Sequence, residues 1–228
     1  MQDKIYYLNK IYNIFMPYLF RFKVNDETTF QCVLNSQQCE ATNKNGRRCG
    51  RRCIIGTPLC STHLTYMMKL KIMPSNVPAV RAFNGKGLFA FDPRLPAGAI
   101  IFNVGDIICR YEGEILTKAQ LDERYNYEGE EYTAPYALEQ SRDKNIDCGC
   151  RRGVGSLCNH STTQDNAEFR KGYTGRGIQR RDYINVKAKR IIYNRQEILL
   201  NYGNAYGFNE PTSHSTKYIS NRQAENIN

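Results

Sequence analysis

The sequence lacks tryptophan and has no apolar run long enough to cross a membrane. Its most apolar stretch, between residues 5 and 20, is interrupted by Asn9, Lys10 and Asn13 and broken by Pro17. A membrane-spanning helix needs roughly 20 consecutive apolar residues, so we expect no membrane partner. No small-residue cleavage site follows this stretch, and we therefore expect no secretory signal peptide.

Cysteine is present, but it is too scarce for a disulfide scaffold. Nine cysteines in 228 residues fall below the roughly 8–10% that is typical of such proteins, and an odd number cannot pair fully within one chain. We expect metal ligands and reduced core thiols, which are typical of an intracellular protein. Cys148 and Cys150 are too closely spaced for an ordinary zinc pair and are interpreted as core thiols at a turn.

Positive charge is concentrated at the front of the chain. The formal net charge is +10, and residues 1–73 hold 11 Lys and Arg against 4 Asp and Glu. Such an excess attracts polyanions, either nucleic acid or acidic proteins, without specifying which. A solubilising surface is the alternative explanation for an excess of this size.

Composition divides the chain into four parts. Residues 1–31 are interpreted as an amphipathic helix and a linker, because apolar side chains recur at helical spacing: Ile5, Leu8, Ile11, Tyr12 and Phe15. Residues 32–73 form a basic Cys/His module that ends in a short helix from Leu64 to Met73, residues 75–208 form the main domain, and residues 209–228 form a flexible polar tail.

Within the main domain, short strands are predicted at residues 99–103, 106–111, 183–188 and 190–193. Thr117 is predicted to cap a helix at the start of an insert covering about residues 117–135. Short strands around one helix predict a mainly β fold with short helices.

A first motif has the spacing of a zinc site. It reads Cys39-x9-Cys49-x3-Cys53-x6-Cys60-x2-His63, in which Cys60 and His63 are a close ligand pair. The spacing alone leaves open which two of the other three cysteines complete a tetrahedron. The segment resembles small zinc modules of giant-virus proteins, and this resemblance favours Cys39 and Cys49 with Cys53 as the spare. The neighbouring arginines predict, at most, a weak contact with nucleic acid.

A second constellation consists of four separated pieces in a fixed order. They are Asn84–Ala90 with two glycines, Tyr111–Glu114, Leu157–Ser161 with an Asn-His pair, and Glu197–Gly203 with a Tyr-Gly end. Each piece alone is weak. Together they resemble the four motifs of the SET domain, a lysine methyltransferase fold that uses S-adenosylmethionine. The resemblance implies small β sheets and a knot-like arrangement in which the C-terminal segment threads under the Asn-His loop.

The resemblance also implies a role for each matching residue. The cofactor-binding residues are Gly85, Lys86, Gly87, Asn159, His160 and Tyr202. The catalytic residues are Tyr202, whose hydroxyl is expected beside the transferred methyl group, and Tyr111. The lysine channel is expected to be lined by Tyr111, Tyr136, Leu200 and Tyr206, with Leu200 where the family tunes the number of methyl groups added.

The sequence thus predicts a protein-lysine methyltransferase, with a histone tail as the leading substrate and a non-histone protein as a weaker one. A chromatin or nucleic-acid binding module with a degenerate SET domain is the alternative from another functional class. We expect structural zinc and S-adenosylmethionine as cofactors. The expected location is the nucleus, or the viral factory or cytoplasm of an infected host cell, and a homodimer is one option for the oligomeric state.

Overall fold

The computed structural model describes residues 18–23, 29–34, 37–54, 57–82, 85–125 and 136–203. The helical pattern predicted between Ile5 and Phe15, the far end of the insert, Tyr206 and the polar tail lie outside these residues. Within them, no helix combines the length and the apolar character needed to span a bilayer.

An antiparallel pair of strands opens the described chain. Strand β1 (Tyr18–Lys23) pairs with β2 (Thr29–Leu34), where the sequence interpretation had placed a linker. The Cys/His module follows, and it is mostly irregular, with isolated bridges from Gln38 to Arg52 and from Thr42 to Arg48. These two bridges fold the basic loop, residues 42–52 with its four arginines, back against the start of the module.

The helix predicted over Leu64–Met73 is only half correct. Helix α1 covers Ser61–Met68, and Lys69 ends it in the left-handed conformation with φ of 54°. Residues Leu70–Pro74 form strand β3, which pairs antiparallel with β4 (Lys86–Ala90). Pairing with β4 therefore overrides the local helical pattern, and Pro74 ends a strand instead of a helix.

The rest of the domain is mainly β, as predicted. Helix α2 (Pro78–Arg81) lies between β3 and β4. The elements that follow are β5 (Ile100–Phe102), β6 (Ile107–Tyr111), β7 (Glu114–Leu116), α3 (Lys118–Tyr125), β8 (Ala137–Ser141), β9 (Lys144–Asp147), β10 (Asn159–His160), β11 (Ala167–Thr174), β12 (Arg181–Ala188), β13 (Ile192–Tyr193) and β14 (Leu199–Leu200). Short 3₁₀ turns cover Val154–Leu157 and Gly177–Gln179.

The largest sheet has five strands in the order β10-β14-β11-β12-β6. Three smaller sheets of the same domain are β7-β9-β8, β3-β4 and β13-β5. One core cluster includes both main-sheet residues such as Leu200 and Cys/His-module residues such as Leu64 and Cys60. The Cys/His module is therefore packed into the same core as the main sheet.

The last strand, β14, lies between β10 and β11, two strands that are joined by the loop of residues 161–166. The loop is bonded to β14 at both ends: Ser161 N–H donates to Leu200 O at 2.9 Å, and Asn166 N–H donates to Leu199 O at 3.1 Å. The Asn166 side chain also binds the backbone of this segment, at Glu197 O and Leu199 N. This is the knot-like threading that the sequence resemblance implied.

The helix of the insert begins where the sequence predicted it. The Thr117 hydroxyl accepts a hydrogen bond from Gln120 N–H at 3.2 Å, and the Gln120 side chain accepts one from Thr117 N–H at 2.9 Å. This reciprocal pair is a capping box.

The interpretation of the Cys148–Cys150 pair is only half correct, because Cys148 is a buried free thiol whereas Cys150 is disulfide-bonded.

Candidate functional site

The four predicted zinc ligands come together in the structure. The ligand atoms of Cys39, Cys49, Cys60 and His63 all lie within 4.8 Å of one another. Nδ1 of His63 is 3.4 Å from the Cys39 sulfur and 3.3 Å from the Cys60 sulfur. Cys60 is the N-cap of α1 and His63 lies in its first turn, so the helix start sets the geometry of this close pair.

The thiols of the module differ in environment, and burial raises the pKa of the proposed ligand Cys60 as well as that of Cys53. Burial raises the pKa of Cys39, but the hydrogen bond from Cys60 N–H and further bonds outweigh it and lower the pKa to about 7. Burial and nearby negative charge raise the pKa of Cys53 to about 11. Cys53 is not a member of the four-residue cluster. Three thiols and one imidazole within this distance fit a tetrahedral zinc ion.

Arginines of the basic loop make bonds within the module. The Arg48 guanidinium donates to Cys39 O at 3.1 Å and to Gln38 O at 2.9 Å. Arg51 donates to the Thr62 hydroxyl on α1. These two side chains therefore stabilise the fold around the cluster.

The second site is built around Asn159. Strand β10 pairs in parallel with β14, and this pairing places the Asn159 side chain beside β4 and Glu197. Its Nδ2 donates to Lys86 O at 3.0 Å, to the Ser75 hydroxyl at 3.1 Å and to Glu197 Oε1 at 2.9 Å. Three segments that are distant in sequence thus meet at one amide.

The two glycines of the first motif have different surroundings. A Cβ atom on Gly87 would lie 2.0 Å from Glu197 Oε1 and 2.9 Å from Asn159 Nδ2, so no side chain fits there. A Cβ on Gly85 would lie 2.4 Å from Val80 Cγ1. Gly87 therefore allows close backbone approach at the Asn159 site, whereas Gly85 allows packing against α2.

His160 and Tyr202 are joined across the same strands. Nδ1 of His160 accepts a hydrogen bond from Tyr202 N–H at 3.1 Å, and the two ring centroids are 5.2 Å apart. The Tyr202 hydroxyl donates to the backbone carbonyl of Cys158. Tyr202 is consequently fixed at both its backbone and its phenol oxygen.

Tyr202 forms one wall of a small, partly open cleft. Aromatic, aliphatic and small polar side chains surround this cleft: Tyr111, Tyr136, Ala137, Leu138, Ser156, Phe169 and Tyr202. The Tyr111 ring packs edge-on against Phe169 at 5.3 Å, and its hydroxyl donates to Tyr136 O at 2.8 Å. Phe169 is stacked on Tyr202 at 6.2 Å. The cleft suits an alkylammonium stem, because π faces attract a cation.

Not every predicted channel residue reaches this cleft. Tyr111, Tyr136 and Tyr202 line it, whereas Leu200 is fully buried in the main core and Tyr206 lies outside the described residues. Phe169 and Glu197 were missed as site residues. Glu197 is the first residue of the last motif segment, so the sequence did offer a signal for it, whereas Phe169 lies outside all four segments.

Comparisons with known proteins agree with the motif assignment. The family model for the SET domain matches residues 85–203, just over half of the chain. The variant-silencing SET domain-containing protein of Plasmodium falciparum (isolate 3D7) is 29% identical over 110 residues, which are 46% of this chain and 4% of that protein.

Two solved structures show partial similarity. For ctPRC2 in an autoinhibited conformation bound to S-adenosylmethionine, the TM-score is 0.47 at 19% identity, covering 60% of this chain and 15% of that chain. For an active polycomb repressive complex 2 in the stimulated state, the TM-score is 0.47 at 18% identity, and the match covers 61% of this chain and 16% of that chain. The chain thus spans less than a fifth of each of these proteins.

Proposed function

The chain belongs to the SET-domain family, and from that premise we propose that it is an S-adenosylmethionine-dependent protein-lysine N-methyltransferase. The observation that supports the proposal is that Tyr202 joins the aromatic cleft to strand β10. This residue lines the aromatic cleft and is bonded to the strand that holds Asn159 and His160. A lysine channel and a cofactor pocket need this adjacency, because methyl transfer requires both reactants in line.

The proposed cofactor pocket comprises Gly87, Asn159 and His160. The absence of a side chain at Gly87 lets the Glu197 carboxylate and the Asn159 amide approach the β4 backbone, and this contact joins β4 to the proposed pocket. S-adenosylmethionine, when bound, supplies an electrophilic methyl group on a positively charged sulfur. Lys86 contributes through its backbone carbonyl, which accepts the Asn159 amide.

The aromatic cleft prepares the nucleophile. A free lysine has a pKa near 10.4 and is protonated at neutral pH, so it must lose a proton before its lone pair can attack. Loss of hydration when the lysine enters the cleft disfavours the charged ammonium, and this desolvation opposes the attraction of the π faces for the cation. Tyr111 and Phe169 hold the stem, and the Tyr202 phenol acts on the transition state, with its oxygen held by the Cys158 carbonyl.

Zinc is proposed as a structural ion held by Cys39, Cys49, Cys60 and His63. All four side chains belong to the set of ligands that zinc prefers, and the three cysteines are buried. Because the Cys/His module shares the main core, zinc binding is expected to stabilise the whole domain.

A histone tail is the proposed substrate, and a non-histone protein is the alternative that the same assay tests. The support for a histone is the resemblance to SET methyltransferases stated for the sequence motifs. The binding-module alternative is disfavoured by the presence of all four motif segments of the SET domain between Asn84 and Gly203. The intracellular location and a homodimer stay predictions.

The proposal is tested by binding and by transfer. Isothermal titration with S-adenosylmethionine is expected to give saturable binding to the wild type and none to Asn159→Ala. Incubation with radiolabelled methyl donor, core histones and a host lysate is expected to label a protein on lysine. Absence of cofactor binding by a folded wild-type chain would overturn the proposal and favour the binding module.

A further inference from the structure

Among the described residues, four carboxylate side chains are buried: Asp92, Asp147, Asp165 and Glu197. The three aspartates each form an ion pair with a basic side chain, provided by Arg94, Arg124 and Lys189, respectively. Glu197 is only 3% exposed and forms no ion pair with any described residue. Glu197 is therefore the exception among these four buried acids.

The partners of Glu197 are neutral donors. Its Oε1 accepts from the Ser75 hydroxyl at 2.8 Å and from Asn159 Nδ2 at 2.9 Å, and its Oε2 accepts from Asn76 N–H at 2.6 Å. These three donors carry no positive charge, so no described side chain compensates the negative charge of the carboxylate. A buried charge without a partner is costly, so a cation brought close to it is stabilised.

The location of the Glu197 carboxylate indicates which cation it would stabilise. Glu197 Oε1 occupies the space where a Gly87 side chain would be, and it holds the Asn159 amide. Both residues belong to the proposed cofactor pocket. We infer that the Glu197 carboxylate supplies the negative charge by which this pocket prefers the cationic methyl donor to its neutral by-product. This inference rests on the proposed function.

The charge of the cofactor changes in the reaction. The lysine nitrogen lone pair forms the new carbon–nitrogen bond, while the sulfur–methyl bond breaks and its electron pair stays on sulfur. The positive charge moves to the methylated amine, and a neutral thioether, S-adenosylhomocysteine, remains. A fixed negative charge therefore attracts the donor more strongly than the by-product, and this difference favours by-product release.

The test compares affinities for S-adenosylmethionine and S-adenosylhomocysteine by calorimetry. Glu197→Gln is expected to reduce the preference for the cationic donor, measured as the ratio of the two Kd values, by about threefold or more. Glu197→Asp keeps the charge while it changes the hydrogen bonds, and its ratio is expected to stay near that of the wild type. The matched control Glu123→Gln removes the same charge from an exposed position on α3 and is expected to leave the ratio unchanged.

The outcomes separate this inference from the proposed function. A folded wild type that binds neither ligand overturns the proposed function, whereas a wild type that binds both, with an unchanged ratio in Glu197→Gln, overturns only the role of Glu197. Equal weakening of both ligands would make Glu197 a structural anchor for Asn159. If Glu197→Gln does not fold, the wild type is titrated with an analogue that has an amine in place of the sulfonium. Equal affinity for its protonated and neutral forms would then overturn the inference.

Discussion

The backbone N–H of Tyr202 donates a hydrogen bond to Nδ1 of His160 at 3.1 Å. The last motif of the chain is thereby fixed to the Asn-His pair, 42 residues earlier. The Tyr202 hydroxyl is bonded to the carbonyl of Cys158 on the same segment. The ring is held in one orientation against Phe169, and its position in the cleft therefore depends on the threaded strand β14.

Tyr202→Phe is expected to separate catalysis from cofactor binding. The phenol oxygen is proposed to act on the transition state, so turnover should fall by about 10²-fold or more. The lost bond to Cys158 should cost only about 1 kcal/mol of stability. Single-turnover rates and the Kd of S-adenosylmethionine check this, with Kd expected to change little. A variant that melts normally and methylates at the wild-type rate would make Tyr202 a packing residue.

Gly87→Ala is expected to weaken S-adenosylmethionine binding by at least about tenfold, because the added Cβ must displace the Glu197 carboxylate or the Asn159 amide. Titration calorimetry measures the affinity, and a melting curve reports the accompanying loss of stability. Gly50→Ala is the matched control, since nothing lies within 4 Å of its Cβ position. Unaltered affinity in a folded Gly87→Ala would remove Gly87 from the cofactor pocket.

Motif order was enough to predict the SET fold and to assign His160 and Tyr202 to one site, but not to find Phe169, which also packs on Tyr202. Strand β3 was missed because Leu70, Ile72 and Met73 suit a helix equally well, and only pairing with β4 decides between the two. Glu197 was missed for a similar reason. Its neutral partner Ser75 is 122 residues away, so a local pattern shows neither the burial of Glu197 nor that no cation among the described residues pairs with it.

The spacing of the zinc motif did not identify all four ligands, because it left three cysteines as candidates for two ligand positions. In the structure, the backbone of Cys39 pairs with Arg51 and that of Cys49 with Ala41. These pairings turn Cys39 and Cys49 toward α1, and Cys53 lies outside the four-residue cluster.

Elemental analysis is expected to find one zinc ion per chain. Cys53→Ser should keep it, because Cys53 is not a member of the four-residue cluster, whereas Cys39→Ser should lose it. Mass spectrometry of purified variants after dialysis against a chelator measures the ratio. Metal lost in Cys53→Ser but retained in Cys39→Ser would contradict this choice of ligands.

Asp92 is expected to make the domain sensitive to acid. Hydrogen bonds from the Arg94 side chain and backbone lower the Asp92 pKa to about 2. A depressed folded-state pKa stabilises the protein above the unfolded value, near 3.9, and this contribution is lost as pH falls toward 2. Melting temperatures between pH 5 and 2 should therefore fall less steeply in Asp92→Asn than in the wild type. Asp143→Asn, at an exposed turn, should follow the wild type; identical slopes in all three proteins would exclude this role for Asp92.

Arg124 on α3 anchors the insert to the domain, because it pairs with the fully buried Asp147 at 2.7 Å and with Glu114 at 2.6 Å. Arg124→Met leaves Asp147 with only its bonds from the Tyr125 hydroxyl and Gly149 N–H. Removing one partner of a buried ion pair costs about 3 kcal/mol, and urea unfolding is expected to show a loss of that order.

The matched control for Arg124 is Arg170→Met, whose pair with Glu168 lies at the surface and is expected to contribute less than about 1 kcal/mol. The double variant Arg124→Met with Asp147→Asn should regain part of the loss, because the stranded charge is removed. Two results would show that the Arg124 side chain acts through its packing and not through the buried charge of Asp147. One is an equal loss of stability in Arg124→Met and Arg170→Met, and the other is no recovery of stability in the double variant.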